Sequence, residues 1–406
     1  GAAVIAYEES LKLARELVAR NPANADWQFG LAQSYFYAGN VRRIQGDLDG
    51  AMQHFEAYRD IAQQQATTSP SDPKWVLELA FGHSNVAAIH EARGDLERAR
   101  DALIASSQVR QALVKLDPRR REWREAAATA HNRLGVVLER LGDAGPALDQ
   151  YRQDVDIRRA LAAEQPGDRV TQERLSVAIA FLAHMLRDNG DDQSALALSR
   201  ERLAICEALV AHDAANTAWQ RELAAAELRL AADDRSRGRL DAADRRARRA
   251  AAILESLARK NPTEILRQRD LGQASVELAL IALAAGRASE AATFASAAAE
   301  RLQAVTQKTP RDSEARRFLG ESYLVLGDTF ERRGDAASAA AQRALARDTL
   351  QPLAPTLNDR RYLFTWARVL VAVGRAGDAR DVLEALRANG YRQDAIDAAT
   401  SPAHTR

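Results

Sequence analysis

The chain has 406 residues, with 57 Lys and Arg against 56 Asp and Glu, so its formal net charge is +1. This balance excludes a general electrostatic attraction to nucleic acid or to an anionic membrane, and the single cysteine, Cys206, excludes an internal disulfide or a multi-cysteine zinc site. No apolar run reaches the roughly 18 residues of a membrane span. We therefore expect a cytoplasmic protein, or a periplasmic one if a span lies upstream. Aromatic residues make up only 5% of the chain, and frequent Ala, Arg and Leu favour close-packed helices.

A repeat of 48 residues organises the chain. The glycine column is Gly46, Gly94, Gly142, Gly190, Gly238, Gly286 and Gly334, and alanine follows each glycine five residues later at Ala51, Ala99, Ala147, Ala195, Ala243, Ala291 and Ala339. Proline keeps the step at Pro22, Pro70, Pro118, Pro166, Pro262 and Pro310, and tryptophan at Trp27, Trp75, Trp123 and Trp219. A fixed period of this length indicates a repeat architecture.

Each repeat predicts two helices of about 20 residues. The glycine can take the left-handed conformation that ends a helix, whereas the proline cannot continue a helix and marks the opposite loop. An Asn or Asp follows the proline column at the expected N-cap position in five repeats: Asn24, Asp72, Asp168, Asn216 and Asp312. We expect the alanine column to mark close contacts between helix backbones.

Apolar residues follow helical spacing between these landmarks. One leucine column is Leu31, Leu79, Leu175, Leu223, Leu271 and Leu319, and a column of small residues is Gly39, Ala87, Gly135, Ala183, Ala231, Ala279 and Gly327. No helix pair could bury such a stripe alone, so neighbouring pairs are predicted to stack into a continuous core.

These columns resemble the tetratricopeptide repeat (TPR) family. A small residue, a turn glycine, an alanine, an aromatic residue and a closing proline match Gly39, Gly46, Ala51, Phe55 and Pro70. The period departs from the 34 residues of that family, and is similar to a long bacterial variant. The resemblance implies an all-α, right-handed α-solenoid of antiparallel helix pairs. It further implies a non-catalytic region of a larger bacterial signalling or defence protein, because the variant commonly stands beside effector domains.

The ends depart from the repeat. Residues 1 to about 20 align with second helices, since Tyr7 aligns with Phe55, and we interpret the chain as an excised fragment with an effector domain upstream. Tandem repeats are predicted for residues 1–356, with the first one partial. A shortened capping helix pair is predicted for 357–390 and a tail for 391–406.

No phosphate-binding glycine loop, metalloprotease helix, nucleophile elbow or kinase signature appears in the sequence. His83 and His90 lie seven residues apart beside Glu91, but a metal site needs further ligands, and a packed or solvated role is favoured. We predict no enzyme activity, no cofactor and no metal site in this chain.

Arginines crowd one hairpin turn between residues 235 and 249, interleaved with aspartates. A nucleic-acid or phosphate patch is one interpretation, and a salt-bridged hairpin is the favoured one. Arg246 is expected to face outward. The tryptophan column is interpreted as packing between repeats rather than as a stacking platform.

The concave surface is the remaining candidate site. In the TPR family the first helices line it, and the glycine register carries its contact positions onto this chain. The predicted groove residues are Gln33, Phe36, Asn40, Arg43, Ser84, Glu91, Asn132, Glu139, His184, Arg187, Leu280 and Leu324. These columns are polar in the N-terminal half and turn apolar in the C-terminal half. Either the long helices close the superhelix and bury those leucines, or the groove holds an extended peptide or an amphipathic helix.

The favoured function is therefore a protein-interaction or sensor region that binds a peptide or protein. The alternatives are a homotypic assembly scaffold and, with less support, a solenoid that binds anions or nucleic acid.

Overall fold

The computed structural model describes residues 2–70, 72–355, 357 and 359–388, which form seventeen α-helices. They divide into two compact units, Gly1–Glu164 and Gln165–Arg406. The predicted tail, 391–406, lies outside the described residues.

The first unit consists of seven helices, each packed against the next in the chain. They are α1 Ala2–Arg20, α2 Ala25–Ile44, α3 Leu48–Thr68, α4 Pro73–Arg93, α5 Leu96–Leu116, α6 Arg121–Leu141 and α7 Ala144–Glu164.

The second unit contains ten helices. They are α8 Arg169–Asp188, α9 Asp192–His212, α10 Thr217–Ser236, α11 Leu240–Lys260, α12 Ile265–Ala284, α13 Ala288–Lys308, α14 Ser313–Arg332, α15 Ala336–Leu350, α16 Arg360–Ala372 and α17 Ala376–Ala388. The first helices of successive repeats also touch one another here, α10 with α12, α12 with α14 and α14 with α16. They therefore form one continuous inner layer.

The turns follow the predicted chemistry. All seven glycines of the column, and Gly374 after them, have positive φ angles between 71° and 89°, where a side chain would be strained. The five predicted N-caps each accept a hydrogen bond from a backbone N–H of the first turn. A second set of caps at the starts of second helices was not predicted: Asp47, Asp95, Asp191 and Asp335.

The alanine column lies at helix contacts, as expected. Six of its members are 0% exposed and Ala339 is 2% exposed. Each residue of the small-residue column packs against one side chain of the second helix, and the sizes of the two are complementary. A Cβ on Gly39 would come within 2.8 Å of the Phe55 ring, and one on Gly135 within 2.8 Å of the Tyr151 ring. In the second repeat the equivalent pair is Ala87 and Leu103. Alanine is larger than the glycine it replaces, and leucine is smaller than the aromatic side chain it replaces.

The leucine and tryptophan columns form the core between hairpins. All six residues of the leucine column are buried, as are Trp75, Trp123 and Trp219. The Trp219 indole also donates to Glu173 of the preceding repeat, at 3.0 Å between Nε1 and Oε2. The tryptophans thus join repeats, and each unit is a helical solenoid built from stacked antiparallel pairs.

Candidate functional site

The second unit encloses a cavity of about 1080 Å³. Its wall is formed mainly by the inner layer of α8, α10, α12, α14 and α16. The 48-residue period gives α8, α10, α12 and α14 the same register, so equivalent faces of these four helices line one volume. The shortened helix α16 completes the wall with residues between Arg361 and Arg368.

Three of the predicted groove residues line this cavity, namely His184, Arg187 and Leu280. A fourth predicted residue does not. Leu324 is 4% exposed and packs in the hydrophobic core, while its neighbour Val325 faces the cavity. On α14 the residue that lines the cavity thus lies one position after the predicted one.

The predicted change to an apolar inner surface is incomplete. Leu228, Val276, Leu280 and Leu283 all line the cavity, but only the two last are partly exposed, whereas Leu228 and Val276 are 5% and 2% exposed. Arginines from five helices share the same wall. The leucine columns are thus divided between core and cavity, and the cavity is amphipathic rather than apolar.

An ion-pair network holds the charged side of the wall. Both Arg187 and Arg229 bond the carboxylate of Asp233, Arg187 through Nε and Nη2 at 3.2 and 3.1 Å. Arg235 Nε donates to Glu277 Oε1 at 2.8 Å on the next first helix. These pairs link α8 to α10 and α10 to α12, so much of the charge in the cavity serves to fix its shape.

Arg368 of α16 is different. It lines the cavity, is half-buried, and makes no hydrogen bond or ion pair with the residues that the structure describes. Its charge acts through space on Asp328, which is itself bonded to Arg343. Arg368 therefore presents a guanidinium to the cavity that the fold does not use.

The pKa of His184 is shifted by burial and by the charges of this wall. Burial lowers its pKa well below the ordinary value of 6.5, and the charges of Arg361, Arg187 and Arg229 lower the pKa further. The imidazole is accordingly neutral at neutral pH. Its Nε2 also lies 3.5 Å from the Asp188 carboxylate, so charges of both signs surround the ring.

In the first unit, the groove residues predicted on α2 take different roles. Gln33 Nε2 donates to Glu78 Oε2 at 3.0 Å, and Phe36 packs within an aromatic cluster. Asn40 bonds the backbone carbonyl of Phe36 on its own helix at 3.2 Å, and Arg43 is exposed. Of the four, Arg43 is the most accessible to a ligand.

The two predicted glutamates are engaged within the first unit. Glu91 accepts from Arg133 at 3.0 Å, and Glu139 accepts from the Tyr151 hydroxyl at 2.8 Å. Both are half-buried. They join neighbouring helices, Glu91 across two first helices and Glu139 within one hairpin.

Ser84 and Asn132 occupy equivalent positions one repeat apart and face equivalent partners on the second helices. The Ser84 hydroxyl lies 2.8 Å from that of Ser106, whereas Asn132 donates to the carboxylate of Asp154. Ser84 is 9% exposed. These positions lie below the surface, where they connect the inner surface to a buried polar layer.

The other sequence candidates are not brought together as sites. His83 faces Arg59 and Asp60, His90 Nδ1 lies 3.7 Å from Asp95 Oδ2, and burial lowers the pKa of both histidines. Among the residues that the structure describes, no cluster of three or more His, Cys, Asp or Glu could hold a metal ion. Over the same residues, no helix has the length and apolar character needed to cross a bilayer.

Cys206 is fully buried. Its Sγ lies 3.2 Å from the Ser176 hydroxyl, and burial raises the pKa of the thiol.

The arginine-rich turn is salt-bridged, but the expectation that Arg246 faces outward is wrong. Arg246 is half-buried and bonds Glu227, which is 1% exposed, and Asp234. Arg249 also bonds Glu227, and Arg248 bonds Asp244 and Glu290. Several partners come from neighbouring repeats, which the local spacing of charges could not show.

Sequence reasoning missed Arg229, Arg317 and Arg368 in the cavity wall. Arg229 lies one position after Leu228, the member of the followed column on α10. A search over a helix face one residue wider would have included it. Arg317 is the fifth residue of α14 and lies one helical turn before the followed column, nearer the proline loop. Arg368 lies in the final pair, where α16 and α17 have only 13 residues each and the 48-residue register no longer applies.

No protein-family model matches the chain, and no curated protein matches its sequence. Solved structures do resemble it in fold. The apo form of the quorum sensor NprR from B. thuringiensis shares 11% identity at a TM-score of 0.51, covering 96% of this chain and 97% of that one. A Rap protein complexed with competence and sporulation factor shares 14% identity at 0.48, covering 98% and 95%. A tetratricopeptide repeat protein from Parabacteroides merdae shares 12% at 0.38, covering 79% and 97%.

At these identities the likeness is one of fold. The class of protein is thereby defined: a tetratricopeptide-like helical solenoid whose repeat period is 48 residues.

Proposed function

We propose that the chain is a non-catalytic binding region of a bacterial signalling or regulatory protein, and that the second unit binds a peptide segment of a protein partner in its cavity. The cavity carries this proposal. At about 1080 Å³ its volume slightly exceeds the roughly 300–1000 Å³ that small-molecule sites occupy. A folded-back or helical peptide segment fits such a volume better than a single metabolite.

The lining suits a peptide. Leu280 and Leu283 offer apolar contact to side chains, and Arg368 offers donors to a backbone carbonyl or a carboxylate. The ion pairs around Asp233 fix the wall before a ligand arrives, which lowers the ordering cost of binding. Because most titratable groups in the wall are bonded to one another, the arrangement supports recognition rather than proton transfer or nucleophilic attack.

The test begins with a phage-displayed peptide library selected on the intact chain. Affinities of the selected peptides are then measured by calorimetry for the wild type, Arg368→Gln and Leu280→Ala. Each substitution is expected to weaken binding about 10-fold or more, corresponding to about 1–3 kcal/mol for a lost buried contact. Arg368→Gln should leave the melting temperature nearly unchanged, because Arg368 makes no hydrogen bond or ion pair with the described residues and only its charge acts on Asp328.

Arg245→Gln is the matched control. Arg245 is exposed on α11, none of whose residues line the cavity, and its replacement removes the same charge. If Arg245→Gln weakens binding while both cavity variants retain full affinity, the peptide binds elsewhere and the proposal is wrong.

A further inference from the structure

A buried arginine in the first unit lacks a counterion. Arg110 of α5 is 6% exposed. Its Nη1 donates to the hydroxyls of Ser84, at 3.2 Å, and Ser106, and lies 3.4 Å from the carbonyl of Ala80. Its Nε has no hydrogen-bond acceptor. Within the part of the chain that the structure describes, neutral oxygens therefore receive all of its hydrogen bonds, and no carboxylate is bonded to it.

The next repeat shows what this position needs. Arg158, 48 residues later and 8% exposed, donates through Nε to Asp154 Oδ1 at 2.5 Å. Asp154 is 1% exposed and stands where the earlier repeat has Ser106. The same buried guanidinium is therefore neutralised from within the chain in one repeat and left unneutralised in the other.

The Arg110 guanidinium lies just under the inner surface of the first unit. Its Cζ is 5.4 Å from the centroid of the Phe81 ring, and Phe81 is 42% exposed. Phe81 belongs to the column whose later members, Gln273 and Glu321, line the cavity of the second unit. A ligand on this inner surface can thus reach the guanidinium beside an exposed aromatic ring.

The other cations near Arg110 are already paired, Arg59 with Asp60 and Arg133 with Glu91. Burial, together with the charge of Arg133 on α6, lowers the pKa of Arg110 to about 10. His83 of α4 lies near both Arg110 and Arg59 of α3. The carboxylate of Glu91 is already bonded to Arg133. One uncompensated positive charge remains, and it matches a single carboxylate.

We propose that Arg110 binds a carboxylate of an acidic peptide or protein partner at the inner surface of the first unit, beside Phe81. The bound group supplies the counterion that Asp154 supplies to Arg158. This site is separate from the cavity of the second unit and uses none of its residues. Either proposal can therefore be refuted without affecting the other.

The chain offers its own variant for the test. The double substitution Ser84→Asn with Ser106→Asp copies the Asn132, Asp154 and Arg158 arrangement into the second repeat, and so supplies an internal counterion. Arg110→Met removes the charge and serves if the double variant does not fold. Arg98→Gln is the control, because Arg98 lies on the same helix with its side chain 73% exposed.

The probes are capped hexaglutamate and capped hexaglutamine, titrated at constant ionic strength, with inorganic phosphate as a third ligand. The wild type and Arg98→Gln should prefer hexaglutamate by at least about 10-fold, as a charge-assisted hydrogen bond predicts. The double variant and Arg110→Met should lose that preference.

Three results would overturn the proposal. One is a wild type without preference for hexaglutamate. Another is a preference that persists in both Arg110-site variants, since the acidic peptide would then bind elsewhere. A third is stabilisation by phosphate that disappears in both variants while hexaglutamate has no effect, which would assign the site to a phosphate group instead.

Discussion

Replacing Asp154 by Asn tests whether a buried arginine of this repeat needs a carboxylate partner. The change keeps the shape of the side chain and leaves Arg158 in the state of Arg110. Breaking a buried pair from one side costs about 3–5 kcal/mol. Burial raises the pKa of the Asp154 carboxyl despite Arg158, so the ionised carboxylate carries a desolvation penalty that the substitution removes. We therefore expect a net loss of about 2–3 kcal/mol in the free energy of unfolding.

The assay is urea unfolding at pH 7 followed by helical circular dichroism, with two transitions fitted if the two units unfold separately. Asp149→Asn on the same helix is the control, because Asp149 forms an exposed pair with Arg152 and such pairs contribute about 0–1 kcal/mol. If Asp154→Asn costs no more than Asp149→Asn, buried arginines here tolerate a missing counterion. The missing counterion of Arg110 would then be no evidence for a ligand at that site.

Three further outcomes are expected from the fold. Ala147 is 0% exposed, so Ala147→Leu should overpack a helix contact and cost about 1–3 kcal/mol; an unchanged melting temperature would show that the contact is loose. Gly39→Ala should cost a similar amount, because the added methyl group would clash with the Phe55 ring. In a double-mutant cycle Phe55→Leu should recover at least about 1 kcal/mol of that loss. Strictly additive effects would show that the two sites are not coupled. His184 has a lowered pKa, so the unfolded state binds its proton first and stability should fall as pH drops below about 6.5, by up to about 1.4 kcal/mol at pH 5.5. His184→Asn should lack that part of the pH dependence in urea unfolding, and an identical slope would refute the assignment.

The sequence predicts the repeat and its helix ends because each depends on a local rule. Gly46 ends its helix through its own φ angle, and Asn24 caps its helix through its own side chain. The cavity depends on which non-adjacent repeats face one another, and that is set by small rotations that accumulate from pair to pair. Arg229 lies one position beyond a followed column, and Arg368 lies in the shortened final pair, where the 48-residue register ends.

The local sequence also does not determine which residues form ion pairs with one another. Arg246 stands among aspartates along the chain, but its most buried partner, Glu227, comes from the preceding helix. A pattern of charges predicts that pairs form. The packing of neighbouring helices decides which residues form them, and that in turn decides which charges, such as Arg368, have no bonded partner among the described residues.

The column that contains Arg110 shows that an arginine is unnecessary there for folding. Its other members are Ala62, Arg158, Cys206, Leu254, Leu302 and Leu350, and all are buried. Apolar residues therefore suffice at this position in five repeats, and replacing buried charges by apolar residues is often neutral or stabilising. Arg110→Leu should accordingly raise the free energy of unfolding by about 1–3 kcal/mol while it abolishes the preference for hexaglutamate. Urea unfolding and calorimetry on the same protein measure both effects. A destabilised variant would show that Arg110 supports the fold through its hydroxyl and carbonyl partners, whereas a stabilised variant that no longer binds would show that the chain keeps this charge for its ligand.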